Sequence, residues 1–346
     1  MKVGIFGRPG GGKSTLFRAL AGEAEGAAAG KGAGVCTIQV PDERVDALAG
    51  VFRPKKTTHV SITFEEIDPG ETEFLPPPTQ AKIKSSEVLA LVLRGFSDDF
   101  HPAPPGGLDP VREFRGIETE LVLADYLVAQ KRIERMAKEA QRGIEWTALH
   151  KAVAVLEKEA PLRAVPLTAE EARALAGFRF LSRVPLVLVL NVNEDALAGE
   201  PYPEVPALAR EQGFPLIRLS ARIEEEIARL SPPEQEEFLK ALGIARGARD
   251  RLIRGAFEAM NHICFLTVGE DEVRAWDIPR GTTAVSAAGK IHSDLEKGFI
   301  RAEVIPYDLF MQCGSLAKAR SEGKLRLEGK DYVVRDGDIM HVRFHV

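Results

Sequence analysis

The stretch Gly7-Arg8-Pro9-Gly10-Gly11-Gly12-Lys13-Ser14 fills the pattern G-x-x-x-x-G-K-[ST] at every fixed position. Lys2 to Phe6, just before it, is a short β-branched and aromatic run. Behind it Leu16, Leu20 and Ala21, with Phe17 beside them, fall at helical spacing. Strand, glycine turn and helix in that order predict a phosphate loop. The glycines let the backbone turn its N–H groups inward, and the helix aims its positive end at the same anion. Arg8, Pro9, Gly10, Gly11, Gly12, Lys13, Ser14 and Thr15 are the expected phosphate cradle. Within it Lys13 is a cation for β- and γ-oxygens, and the Ser14 hydroxyl is the expected Mg²⁺ ligand.

Further strands are expected at Val35 to Val40, Val60 to Ile67 and Val88 to Leu93, separated from the loop by a Gly/Ala-rich segment over residues 22 to 34. Val88 to Leu93 and Pro185 to Leu190 are apolar at nearly every position, as in strands covered by helices on both faces. Pro185 to Leu190 runs into Asn191-Val192-Asn193-Glu194, and Leu216 to Leu219 runs into Ser220-Ala221-Arg222. Polar clusters at strand ends suit a parallel α/β sheet, where ligands gather at the carboxyl edge.

Between these strands the texture is helical. The Pro/Gly-rich stretch from His101 to Pro110 marks a break, after which Gly116 to Gly143 carries Ile117, Leu121, Ala124 and Val128 in a helical stripe. Trp146 to Glu159 and Leu167 to Phe180 read as two more helices, the last with Thr168 as N-cap. From about Cys264 short strands and turns take over: Glu272 to Trp276, Lys324 to Glu328, Asp331 to Arg335 and Ile339 to Phe344, with one helix over Ala284 to Gly298.

A length of 346 residues suggests two or three domains. The longest apolar runs are far short of a membrane span, and no secretory signal is read at the N-terminus. Cys36, Cys264 and Cys313 have no metal-ligand spacing and read as reduced thiols of a cytoplasmic protein. A net charge of −5 argues against a broad basic surface for naked nucleic acid, and leaves room for a local patch.

The base-binding residues follow from the strand ends. Asn191-Val192-Asn193-Glu194 stands where a GTPase carries Asn-Lys-x-Asp. Glu194 is one methylene longer than that Asp, so its carboxylate is not expected to occupy the same place beside guanine. ATP is therefore favoured over GTP. Ser220, Ala221 and Arg222 are placed to offer backbone N–H groups to the base.

The chain resembles the YchF-type Obg-like ATPases, within the translation-factor class of P-loop GTPases. The resemblance rests on Gly7 to Leu20, Asp109-Pro110-Val111-Arg112 with Glu118-Thr119-Glu120-Leu121, and Asn191 to Glu194. Most specific are Glu272 to Trp276, Ala288 to Val304 and Glu328 to Tyr332. It implies an α/β P-loop NTPase G domain (1–115 and 181–262), an inserted helical coiled-coil domain (116–180) and a C-terminal ubiquitin-like, β-grasp TGS domain (263–346). It also implies ATP preference over GTP and ribosome association, with Val192 as the adenine-contacting position. A monomer using Mg²⁺ with ATP (or GTP) is expected besides. RNA contact through the helical and TGS domains is a further expectation. Lys290, Lys297 and Arg301 form either a basic edge for it or a solvated face paired with Asp294 and Glu296.

Two departures bear on hydrolysis. The family's longer switch I is replaced by Ala27 to Gly34, and Thr37 is either the Mg²⁺-sensing threonine or a strand residue. Switch II is reduced to Ile67-Asp68-Pro69-Gly70, with Ile67 at the expected aspartate position and Asp68 one place late. His101 is the nearest match to the histidine proposed to orient water in this family, and a surface-loop histidine is the other reading. The sequence thus favours a slow ATPase, with a binding-only nucleotide sensor as the alternative.

Overall fold

The computed structural model describes residues 1–26 and 34–345. The segment read as a replaced switch I lies, apart from Gly34, outside the described residues. Strands β1 (Lys2–Phe6), β2 (Val35–Gln39), β4 (Ser61–Glu66), β5 (Val88–Gly95), β6 (Leu186–Val192) and β7 (Leu216–Leu219) form one sheet in the order β2-β4-β1-β5-β6-β7. β3 (Lys56–Thr58) joins β8 (His262–Thr267), β9 (Glu272–Pro279), β10 (Phe299–Pro306), β11 (Arg326–Glu328) and β12 (Asp338–Phe344) in the second sheet.

In the first sheet β1 runs parallel to β4 and β5, β5 to β6, and β6 to β7. Their carboxyl ends therefore share one edge, where α1 (Lys13–Gly26) begins. β5 and β6 bury every residue except Arg94, which explains their unbroken apolar sequence.

α2 (Glu43–Phe52) and α3 (Pro77–Ser85) precede α4 (Pro110–Lys138), which is 29 residues long. Asp109 caps α4 through the Arg112 N–H, and Pro110 occupies its first turn. The helix thus starts six residues before the expected Gly116, because a proline that breaks a helix interior suits a helix start. Its buried stripe also drifts. Phe114, Ile117 and Leu121 pack under the sheet, whereas Val122, Ala129, Ile133 and Met136 face α5 (Ile144–Leu156) and α6 (Ala169–Leu175). Ala124 and Val128, expected in the stripe, are only partly buried. Thr168 and Glu171 form the capping box that starts α6.

Where the hairpin returns, the buried Asp125 carboxylate accepts the Leu181 and Ser182 N–H groups at 2.7 Å each and the Ser182 hydroxyl at 2.6 Å. α7 (Glu204–Gln212), α8 (Ala221–Ala228), α9 (Pro232–Ala241) and α10 (Ala248–Met260) complete this unit.

Tertiary contacts divide the chain into residues 1–37 with 63–259 and residues 38–62 with 260–346. The expected boundaries put 38–62 in the P-loop domain. These residues instead pack with the C-terminal ones, since β3 pairs in parallel with β9 and Phe52 stacks on Phe310 at 5.4 Å. In the same unit the helix expected over Ala284 to Gly298 is two, α11 (Ala284–Ile291) and α12 (Ser293–Lys297), broken at an extended His292. Lys290 is paired with Asp277 at 3.5 Å. All three cysteines are buried and outside any disulfide, and burial pushes the Cys264 thiol up to about 12. No described helix is long and apolar enough to cross a membrane.

Candidate functional site

The phosphate loop follows β1 at the centre of the sheet edge. Gly12 takes a φ of 89°, and a Cβ there would collide with the Asn191 amide, so only glycine fits. Lys13 is buried to 6% exposure with its ammonium 3.4 Å from the Arg8 carbonyl and 3.8 Å from Asp68 Oδ1. The Ser14 hydroxyl donates to Glu66 Oε1 at 2.5 Å.

That last contact corrects the reading of switch II. Ile67 is fully buried, and Asp68 is 75% exposed. The carboxylate that meets Ser14 comes from Glu66, which ends β4 opposite Ile5 of β1. The pair Glu65-Glu66 closing an apolar strand was the available signal, since a carboxylate at a strand's carboxyl end sits on the ligand edge. Thr37 exchanges a hydrogen bond with Thr63 at 2.9 Å across neighbouring strands, and so takes the place of a strand residue.

Asn191 joins three expected parts. Its Nδ2 donates to the Gly11 carbonyl at 3.0 Å, and its Oδ1 accepts the Ala221 N–H at 2.8 Å. The side chain is 4% exposed and both polar ends are satisfied, so it fixes the phosphate loop to the β7–α8 turn.

Around this link lies a half-open cavity of about 1160 Å³. Its lining includes Gly10, Gly12, Lys13, Ser14 and Thr15 together with Asn191, Val192, Glu194, Ser220, Ala221 and Arg222. Phe96 and His101 line it too. Phe96, at the end of β5, was not singled out in the sequence; an aromatic directly after a buried strand was the signal.

Not every expected residue faces this space. Arg8 lies with its guanidinium 5.0 Å over the Phe74 ring, and the described lining of the cavity contains none of Arg8, Pro9 and Gly11. Val192 is 1% exposed within the sheet core, which leaves a base little of it to touch. Glu194 and Arg222 are exposed, and Arg222 pairs with Glu226 at 3.3 Å.

His101 is half-exposed, its Nδ1 3.0 Å from Asp98 Oδ1. Desolvation pushes the Asp98 carboxyl up, but hydrogen bonds from His101 outweigh it and hold it below its ordinary value. Glu113, on α4, accepts the Arg94 N–H at 3.0 Å and is pushed up by burial.

No group of three or more His, Cys, Asp or Glu among the described residues forms a metal cluster. One hydroxyl backed by one carboxylate fits Mg²⁺, which keeps several waters and takes its other ligands from phosphates.

The profile YchF-GTPase_C, a protein of unknown function (DUF933), matches residues 262–345. "Ribosome-binding ATPase YchF" of Pasteurella multocida (strain Pm70) is 39% identical over 363 residues, covering 100% of this chain and 99% of that protein. The protein of the same name from Bacillus subtilis (strain 168) is 36% identical over 367 residues, with 100% of both chains covered. The solved structure of the Schizosaccharomyces pombe YchF GTPase superposes with a TM-score of 0.85 at 29% identity, covering 99% of this chain and 97% of that one. With full-length identity at that level, this chain belongs to the YchF family.

Proposed function

We propose that the chain binds Mg·ATP at the loop Gly7 to Thr15, hydrolyses it slowly, and acts as a nucleotide-dependent switch at the ribosome. It does so in the cytoplasm and as a monomer. The observation that carries the nucleotide reading is Asn191, which ties the phosphate loop to the Ser220–Arg222 turn across one cavity. The ribosome enters through the relatives, which are named ribosome-binding ATPases.

Lys13 and the loop amides hold the β- and γ-phosphates, and Ser14 takes the metal with Glu66 orienting its hydroxyl. Mg²⁺ held there would supply positive charge against the phosphates. The base lies between Asn191 to Glu194 and Ser220 to Arg222, where Glu194 leaves guanine without its usual acceptor and favours ATP. Asp98 Oδ1 engages His101 Nδ1, which leaves Nε2 as the ring nitrogen for the attacking water. Phosphate release from saturating Mg·ATP, beside Lys13→Ala, tests this reading. Release that vanishes in the variant supports an ATPase.

A second reading is a sensor that binds without turnover. The exposure of His101 and of Asp68 favours it, because neither is held over the phosphates by packing. ATP binding with no release above the Lys13→Ala control would select it.

A further inference from the structure

β5 is apolar from Val88 to Leu93 and then carries Arg94, the one residue of the strand left half-buried. It stands at the carboxyl end, opposite Asn191 of β6, on the edge where ligands of a parallel sheet gather. Its backbone N–H donates to Glu113 Oε2 at 3.0 Å, which fixes the main chain there. The side chain turns forward along the sequence. Nε donates to the Phe96 carbonyl at 3.1 Å, and Nη2 to the carbonyls of His101 at 2.5 Å and Pro102 at 3.0 Å.

One planar fork thus gathers both ends of the segment 96–102. The guanidinium lies 5.2 Å over the Phe96 ring, and the His101 ring meets Phe96 edge-on at 6.3 Å. Within the segment, Asp98 Oδ1 accepts the Phe100 and His101 N–H groups at 3.0 and 2.6 Å. Asp98 and His101 also exchange backbone hydrogen bonds at 3.1 and 3.2 Å. Asn193 Nδ2 donates to the Ser97 carbonyl at 3.2 Å, tying the segment to the end of β6. A Cβ on Gly10 would meet Arg94 Nη1 at 3.9 Å, so the guanidinium also stands beside the phosphate loop. Phe96, Ser97, Asp98 and His101 line the cavity, and Arg94 does not.

We infer that Arg94 is a positioning residue: by holding the carbonyls of Phe96, His101 and Pro102, it sets where the His101 ring stands relative to the phosphate loop. His101 is half-exposed, so hydrogen bonds rather than burial must place its ring. Bonds from an ionised donor suit that task, being roughly twice as strong as neutral ones. The placement matters because a reacting group misplaced by about 1 Å can cost about 100-fold in rate. Arg94 lies outside the cavity lining and acts through His101. The inference rests on the reading of His101 as the residue that meets the attacking water, and names what places it.

The test uses the full-length chain. Arg94→Met keeps an unbranched stem over Phe96 and removes every side-chain donor; Arg94→Gln replaces it should that variant fail to fold. Amide exchange at Asp98 and His101 should quicken by about tenfold or more. KM for Mg·ATP should stay within about twofold of wild type, while kcat for phosphate release falls by about tenfold or more. In a His101→Ala background the same substitution should lower kcat by less than about twofold. The chain has seven histidines, and with ring-labelled histidine the resonance missing from His101→Ala identifies that of His101. Mg·ADP should shift it in wild type, and shift it less in Arg94→Met.

Unchanged amide exchange at Asp98 and His101 would overturn the inference. So would a His101 resonance that ignores Mg·ADP in wild type, or that answers it equally in the variant. A fall in kcat that persists in full without His101 would give Arg94 a route of its own, and overturn it as well. The functional reading fails separately. Wild-type protein with no release above Lys13→Ala refutes hydrolysis, and His101→Ala with wild-type release refutes the role of the histidine. In either case exchange and the His101 resonance still decide whether Arg94 places that ring.

Discussion

The Ser14 hydroxyl donates to the Glu66 carboxylate at 2.5 Å, joining the end of the phosphate loop to the end of the neighbouring strand. A carboxylate there takes the hydroxyl's proton side and would leave its lone pairs free to hold Mg²⁺. Removing such a partner typically costs about 10- to 100-fold in metal affinity or activity. Glu66→Gln should therefore raise the Mg²⁺ concentration needed for half-maximal phosphate release by roughly that factor, leaving metal-free nucleotide binding nearly unchanged. Asp68→Asn, on the exposed side chain, should shift it far less. Equal effects from both would remove Glu66 from the metal site.

Asn191→Ala tests the other join. The substitution leaves the Gly11 carbonyl and the Ala221 N–H without partners in a place 4% exposed to water. Each abandoned buried group costs about 1–3 kcal/mol, so a loss of about 2–6 kcal/mol in denaturant unfolding is expected. Nucleotide affinity should fall as well, because the turn at Ser220–Arg222 loses its anchor. A variant as stable as wild type would mean that water replaces both bonds.

The two joins differ in how far the sequence exposed them. Asn191 and the Ser220–Arg222 turn were legible because each follows a short apolar strand, and strand ends in a parallel sheet converge. Glu66 is not legible from the motif, because Ile67 holds the motif's aspartate position and the only nearby aspartate, Asp68, comes one place later. The β1–β4 register settles the matter, and register is a long-range property that a single strand does not carry. The start of α4 was hidden by prolines read as breakers. Residues 38–62 were assigned by chain order, yet Lys56-Thr57-Thr58 has no apolar alternation and is a strand only because β9 offers it an edge.

Asp125 gives a pH dependence with a definite sign. Burial pushes its carboxyl up, against the pull of the Ser182 and Leu181 donors. With the folded value above the unfolded one, the folded chain binds the proton first as pH falls. The Asp125 contribution is therefore fully present below the unfolded value and is lost as pH rises through the folded value. Asp125→Ala should cost stability at every pH, and cost more at about pH 5 than at about pH 8 in paired urea titrations. A larger cost at the higher pH would mean that the three hydrogen bonds, not burial, govern this carboxyl.

The partnership of 38–62 with the C-terminal residues leads to a statement about what folds as a unit. Phe52 stacks on Phe310 at an interplanar angle of 18°, and Phe310 is fully buried. The Lys55 and Lys56 N–H groups donate to the Glu270 and Asp271 carbonyls at 3.0 and 3.1 Å. Arg44 pairs with Asp336 at 2.9 Å, and the same carboxylate accepts the Cys264 N–H at 2.8 Å. A fragment starting at residue 263 loses the contacts of Arg44, Phe52, Lys55 and Lys56, opens the β9 edge and uncovers an aromatic side chain. Small domains have little stability to spare, so the fragment 263–346 should show poorly dispersed amide resonances and no cooperative melting. In the full chain, Phe52→Ala should destabilise the C-terminal unit by about 1–3 kcal/mol, read as faster amide exchange in β8 and β9. It should leave the exchange of β5 and β6 as it was, because that core contains neither ring. A well-dispersed 263–346 fragment with a sharp transition would show instead that β3 and α2 are an addition to an already complete fold.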